Sequence, residues 1–307
     1  MNAPAKTPRN LGPVWGMAFL LAAEQWWPRW LFWPLLQAGT WVALPFMPVQ
    51  RAHSRAYLTA VLGRPPRLIE MWRHFFALVE SIILKLRVGR GVPVRCVVDP
   101  THLAEWEALI KSGRPALFGT FHFGDSDLLG FLLSQLNRKV SILRQRVGNS
   151  DDTRLLGAQY TGVSFLWINN PAHVMFDVKS AIEAGDSLAL KCDRLDFSAK
   201  NEPFNFLGAP RIFPFTIYHL AVLFHQPVVF CTAIFDYREN CLRVFSSAVF
   251  IPDPAAGRPA NLATARAHFQ AVLAEFDILV RRHPFLWFNF LPLNPEVPAA
   301  AAPSRAA

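Results

Sequence analysis

The stretch Pro115-Ala-Leu-Phe-Gly-Thr-Phe-His-Phe-Gly-Asp-Ser-Asp-Leu-Leu-Gly130 decides the fold. Its first half, Ala116–Phe121, is a short apolar run that predicts a buried strand. Gly124 allows a tight turn after it. Ser126 and Asp127 suit a helix start, because both side chains can accept from free backbone N–H groups. A helix is expected over Asp127–Leu136. His122 then stands at the carboxyl end of a strand, where open α/β sheets form their sites.

Outward from this unit the pattern repeats. Strands are expected at Val92–Val98, Val140–Leu143, Val163–Ile168, Ser187–Lys191, Val228–Phe235 and Leu242–Val249. Helices are expected at Leu103–Ser112, Ala172–Ala184, Phe213–Phe224 and Asn261–Arg282. The alternation argues for an α/β fold, a central mixed β-sheet flanked by helices. Residues 91–294 form this domain. The Pro/Ala-rich tail, 295–307, is expected to be disordered. No G-x-G-x-x-G follows a strand and no G-x4-G-K-[ST] occurs, which disfavours a nucleotide-binding enzyme.

Residues 1–90 differ in character. The chain has 307 residues and a net charge of +9. Residues 1–95 carry 12 Lys/Arg against 3 Asp/Glu, so the whole excess lies there. Seven of the ten tryptophans are there too: Trp15, Trp26, Trp27, Trp30, Trp33, Trp41 and Trp72. Basic charge beside clustered Trp points to the boundary between water and lipid. Nucleic acid is not expected as a partner, since the basic residues flank apolar runs instead of lining a polar face. Trp30 to Pro48 is 19 residues without a charge, close to the roughly 20 needed to cross a bilayer. Pro34, Gly39 and Pro45 interrupt it. The expectation is an apolar, membrane-associating helical segment that is embedded or interfacial; the alternative is a buried hairpin of the core. A further helix is expected over Arg67–Val88, with a wide apolar stripe that includes Leu68, Trp72, Phe75, Val79, Ile82 and Leu86. No cleavable signal peptide is expected, because Val14–Ala23 runs into Glu24-Gln25-Trp26-Trp27-Pro28-Arg29.

Cys96, Cys192, Cys231 and Cys241 lack zinc-site spacing and fall in or beside expected strands, so they read as packed core residues of a reducing compartment. No metal site and no cofactor are expected. His122 is the residue with chemistry to offer. With a carboxylate partner, an imidazole is a general base. Asp127, five residues on, can fold back against it. The plainer alternative is a packed strand-end histidine with Asp127 as a helix cap.

His122-Phe123-Gly124 and Asp127 resemble the His-x4-Asp/Glu motif of membrane-associated glycerolipid and lipid A acyltransferases. The match is greatest to the late (lauroyl/myristoyl) lipid A acyltransferases, which read His-Phe-Gly-Asn-Trp-Glu. Leu188-Ala-Leu-Lys-Cys-Asp193, Phe204-Asn-Phe-Leu-Gly-Ala-Pro210 and His283-Pro-Phe-Leu-Trp-Phe288 are similar to further blocks of that family. The resemblance spans about residues 15–292. It implies transfer of an acyl chain from a thioester, acyl carrier protein or coenzyme A, to a hydroxyl of a lipid or glycolipid. His122 would be the base and Asp127 its orienting carboxylate. Phe123, Gly124, Arg154, Asp193 and Gly208 would contact substrate. The setting implied is the cytoplasmic face of a bacterial inner membrane, with the lipid bilayer as partner.

The sequence departs from that pattern at Asp125-Ser126-Asp127. Where that family often has an Arg, four residues before Gly162, this chain has Ala158; Arg154 is the nearest candidate for a phosphate contact, or is a solvated helix residue. Asp193 is a polar substrate contact or a strand-end turn residue. Phe123-Gly-Asp-Ser126 also resembles the nucleophile block of Gly-Asp-Ser-Leu esterases, with Ser126 as nucleophile. Those enzymes carry Asp three residues before a late His; here Val280 precedes His283. A membrane scaffold without catalysis is the third reading.

Overall fold

A computed structural model describes residues 14–136, 138–145, 162–169, 171–195, 198 and 200–296. Arg154 lies outside the described residues, as does the tail beyond Glu296.

Seven strands form one sheet in the order β1-β9-β8-β2-β5-β3-β4. They are β1 (Arg95–Val98), β2 (Leu117–Thr120), β3 (Val140–Arg144), β4 (Val163–Trp167), β5 (Ser187–Lys191), β8 (Val228–Asp236) and β9 (Cys241–Ser246). All neighbours are parallel except β8 and β9, so the sheet is mixed as expected. Alternation along β2 feeds two cores. Leu117 and Phe121 face one layer with Tyr218, Phe269 and Phe276. Ala116 and Phe118 face the other with Trp106, Leu129 and Leu133. Helices α5 (Leu103–Lys111) and α6 (Leu129–Gln135) supply the second layer. Helices α8 (Thr216–Phe224) and α9 (Arg258–Arg282), with α7 (Pro171–Glu183), supply the first.

Two strands were not foreseen. β6 (Asn201–Phe206) and β7 (Ala209–Pro214) form a separate antiparallel hairpin. Pro203, Pro210 and Pro214 mask it, because proline is tolerated only where a ladder donor is not needed. The helix expected over Phe213–Phe224 therefore starts later, at Thr216. Leu207 and Gly208 both take positive φ in the connecting turn. Pro295 and Glu296, expected in the tail, are instead ordered against β7: Ile212 N donates to the Pro295 carbonyl and Arg211 pairs with Glu296 at 2.6 Å.

The N-terminal third is helical: α1 (Val14–Trp26), α2 (Arg29–Ala43), α3 (Pro48–Leu62) and α4 (Leu68–Gly89). A 3-10 turn at Leu44–Phe46 breaks the charge-free run before α3. Among the described residues, no helix is long and apolar enough to cross a membrane. Ala23 and Phe32 pack on Ile83 and Leu86 of α4. Trp41, Trp72 and Phe76 stack in series at centroid distances of 5.4 and 5.0 Å, joining α2 to α4. The first residues of the expected stripe, Leu68 and Ile69, remain exposed.

Candidate active site

β2 and β5 are parallel neighbours, with Thr120 opposite Lys191. Continuing that register by two residues sets His122 beside Asp193. The His122 ring Nδ1 lies 2.6 Å from Asp193 Oδ1, and the His122 backbone N–H donates to Asp193 Oδ2 at 2.7 Å. Trp287 Nε1–H donates to the same Oδ2 at 2.8 Å. Asp193 is fully buried, while the His122 side chain keeps about 20% of its surface open. A buried carboxylate needs such donors to remain charged. It draws the imidazole proton to Nδ1 and leaves Nε2 with its lone pair.

The electrostatics favour that state. Burial drives the imidazole down to about 4, against the attraction of Asp193, and the charges of Lys191 and Arg194 add to the fall. Burial works to raise the Asp193 carboxyl, but the charge and hydrogen bond of His122, with Arg194 and Trp287, hold it below the usual carboxylate range. Near neutral pH the pair is thus a neutral imidazole on an ionised carboxylate.

Asp127 has other partners. Its two oxygens take Lys191 Nζ at 2.6 Å and Lys85 Nζ at 2.9 Å. These ammonium groups, Lys191 foremost, hold its carboxyl well below the usual range. The expected His122–Asp127 contact is therefore corrected: Nδ1 meets Asp193. Asp127 sits on a 3-10 turn, Ser126–Leu128, and faces the lysines of α4 and β5.

The segment after β2 is gripped on both sides. Gly124 N donates to the Leu286 carbonyl and Asp125 N to the Ala233 carbonyl, each at 2.7 Å. Phe288 N donates to the His122 carbonyl at 2.7 Å. Gly124 has φ +55°, and a Cβ there would overlap the Ala233 carbonyl oxygen. Gly124 is thus where backbone meets backbone. Phe123 is fully buried against Phe276, a core position away from solvent. Gly208 occupies the β6–β7 turn and is exposed. Ser126 is buried and its hydroxyl donates to the Phe121 carbonyl at 2.7 Å. That bond closes the turn and engages the proton a nucleophile would have to give up to a base.

Trp287 is the residue that the sequence did not single out for a role; it stood only inside His283–Phe288. A second buried histidine holds it. His74 Nε2 meets the Trp287 carbonyl at 2.8 Å, and Ser54 Oγ meets Nδ1 at 2.9 Å. Burial takes His74 down to about 4, so it is neutral, with Nε2–H donating. The Tyr57 hydroxyl donates to the Pro284 carbonyl at 2.9 Å. A polar chain thus runs from α3 and α4 through Trp287 to Asp193 and His122. Behind the motif, Glu80 is pushed up to about 7 by burial and by the charge of Asp125. Among the described residues no group of three or more His, Cys, Asp or Glu is arranged to hold a metal ion.

The chain is similar in structure to the 1-acyl-sn-glycerophosphate (LPA) acyltransferase PlsC of Thermotoga maritima. Identity is 11%, 79% of this chain and 95% of that chain are covered, and the TM-score is 0.38. No protein-family model matches the chain, and no curated protein does.

Proposed function

We propose that the protein is a membrane-associated acyltransferase that moves a fatty acyl chain from a thioester to a hydroxyl of a lipid or glycolipid. The observation that carries this is the His122–Asp193 pair: a neutral, accessible imidazole whose Nδ1 is fixed by a buried carboxylate at the carboxyl ends of β2 and β5. The motif resemblance around His122 supplies the reaction class.

His122 Nε2 takes the proton of the acceptor hydroxyl as its oxygen bonds to the thioester carbonyl carbon. The carbonyl π pair moves to oxygen. It returns as the carbon–sulfur bond breaks, and the leaving thiolate receives the proton from Nε2–H. The products are an ester and a free thiol. Asp193 stabilises the imidazolium formed in between, and Trp287 holds Asp193. The carboxylate that orients the base is then Asp193, with Asp127 joining Lys85 and Lys191 at the mouth of the site. These cations suit an anionic substrate group. The thioester is acyl carrier protein or coenzyme A, and no metal or cofactor takes part. The setting is the cytoplasmic face of a bacterial inner membrane. Support for the membrane side comes from exposed Trp26, Trp30, Leu35, Val42 and Phe46 on a positively charged N-terminal third.

The test is lipid mass spectrometry on cells expressing the wild type or His122→Ala at matched membrane levels. A lipid that gains one acyl chain with the wild type alone supports the reading and identifies the acceptor. The same lipid gained with both proteins overturns His122 as base. Identical profiles of cells with and without the wild type favour a scaffold.

A further inference from the structure

We infer a phosphate-binding cavity at the corner of α1, α2 and the end of α4, and that its occupant is the phosphate headgroup of a membrane lipid. This rests on the membrane side of the proposed function.

The cavity measures about 420 Å³ and is lined by Glu24, Gln25, Arg29, Arg87, Arg90 and Val92. It is an open surface recess and not an enclosed pocket, so it suits a headgroup presented by a lipid surface. Glu24 reaches Arg87 at 3.6 Å and also meets Arg90. Arg29 has no hydrogen-bond or ion-pair partner among the described residues. The recess therefore holds three guanidinium groups and one carboxylate, which only Arg87 and Arg90 engage. Each guanidinium offers about five N–H donors, and a carboxylate about four acceptor sites. The surplus is of donors and of positive charge, in a planar fork geometry that matches phosphate oxygens two at a time.

The surroundings decide the source of the phosphate. Trp26, Trp27 and Trp30 adjoin the lining residues in the chain and are exposed, Trp26 and Trp30 by about three quarters. Indole rings prefer headgroup depth. A phosphate held by Arg29, Arg87 and Arg90 would then lie at the level at which those rings enter the interface. The cavity is built from α1, α2 and the last turn of α4, and uses neither His122 nor Asp193.

The experiment measures binding to three kinds of vesicle built on a neutral, phosphate-free galactolipid: galactolipid alone, galactolipid with phosphatidylglycerol, and galactolipid with oleate at the same surface charge. The wild type is expected to bind the phosphatidylglycerol vesicles about fivefold to tenfold more tightly than the oleate vesicles, since phosphate engages the arginine forks. Arg29→Gln with Arg90→Gln should erase that preference and leave binding to oleate vesicles in place. Arg51→Gln with Arg55→Gln, an equal loss of charge on α3, should keep it. Arg29→Gln alone removes a side chain without partners, so the fold is not at stake. No preference in the wild type, or equal erasure by the α3 pair, overturns the inference while membrane binding stands. A wild type that binds no vesicle overturns the membrane reading as well. Saturable binding of soluble glycerol 1-phosphate without vesicles, equal in strength and lost with Arg29 and Arg90, overturns the lipid assignment in favour of a soluble phosphate ligand.

Discussion

The pocket around His122 and the outer face of α1 and α2 use the same residue types in opposite ways. Trp287 is buried and its N–H is spent on a carboxylate. Trp30 lies about 76% exposed. In the pocket, donors outnumber the oxygens of Asp193, and its geometry is fixed by β2, β5 and the 286–288 segment. On the N-terminal face, apolar rings are left outside a helical layer whose inner side already packs on α4. The difference teaches that the aromatic content of this chain serves two ends. In one region rings exclude water around a neutral imidazole held on an ionised carboxylate; in the other they remain available to an external apolar phase.

The largest effect expected to sharpen this contrast separates the two aspartates. Asp193→Asn should lower turnover by about 10²–10⁴, as befits the loss of the group that fixes the base. Asp127→Asn should cost less and act mainly on KM, because its partners are Lys85 and Lys191. Steady-state kinetics with an acyl thioester check the order; the reverse order would return Asp127 to the orienting role. Next come the packed positions. Trp287→Ala should destabilise by about 3–5 kcal/mol, as large core truncations do, whereas Trp30→Ala should stay within about 0.5 kcal/mol. Equal losses in urea unfolding would break the comparison.

A pH effect should be similar or smaller. His74 is buried neutral with its ring held down to about 4, from an ordinary value of 6.5. The unfolded chain binds that proton first as pH falls. The share of stability that depends on neutral His74 is therefore complete above about pH 6.5 and declines as pH drops toward 4, by up to about 3 kcal/mol, while Glu80, pushed up to about 7, takes its proton first in the folded chain and opposes that decline. His122 titrates in the same window and direction. Urea melts at pH 7 and pH 5 measure the decline. Relative to the wild type, His74→Gln should lose less stability between the two pH values, and an unchanged slope would argue that His74 is not held neutral.

Much of this was legible in the chain. Ser187–Lys191 was read with its observed bounds, and most other strands differ only at their ends. Their apolar runs are local signals that tertiary packing did not override. Helix α3 was missed because Arg51, His53, Arg55 and their neighbours dilute its apolar face. The β6–β7 hairpin was missed because prolines imitate loop. His122 was singled out for its chemistry and for its place after a strand. Asp193 was noted, but as a substrate contact or a turn. Trp287 carried no signal beyond its motif, since nothing local says that an indole N–H will reach a carboxylate 94 residues away.

The sequence by itself determined the α/β pattern, the charge and tryptophan excess of the first third, and the candidate base. These follow from side-chain period, composition and residue chemistry, all of which are read within a few residues. Only the tertiary structure decided which acid serves His122. Asp127 is near in sequence, yet Lys85 from α4 and Lys191 from β5 engage it. Asp193 is 71 residues distant, yet the parallel pairing of β2 with β5 carries it alongside. Strand order in a sheet is set by the burial of both faces at once, and that is a property no short window of sequence contains.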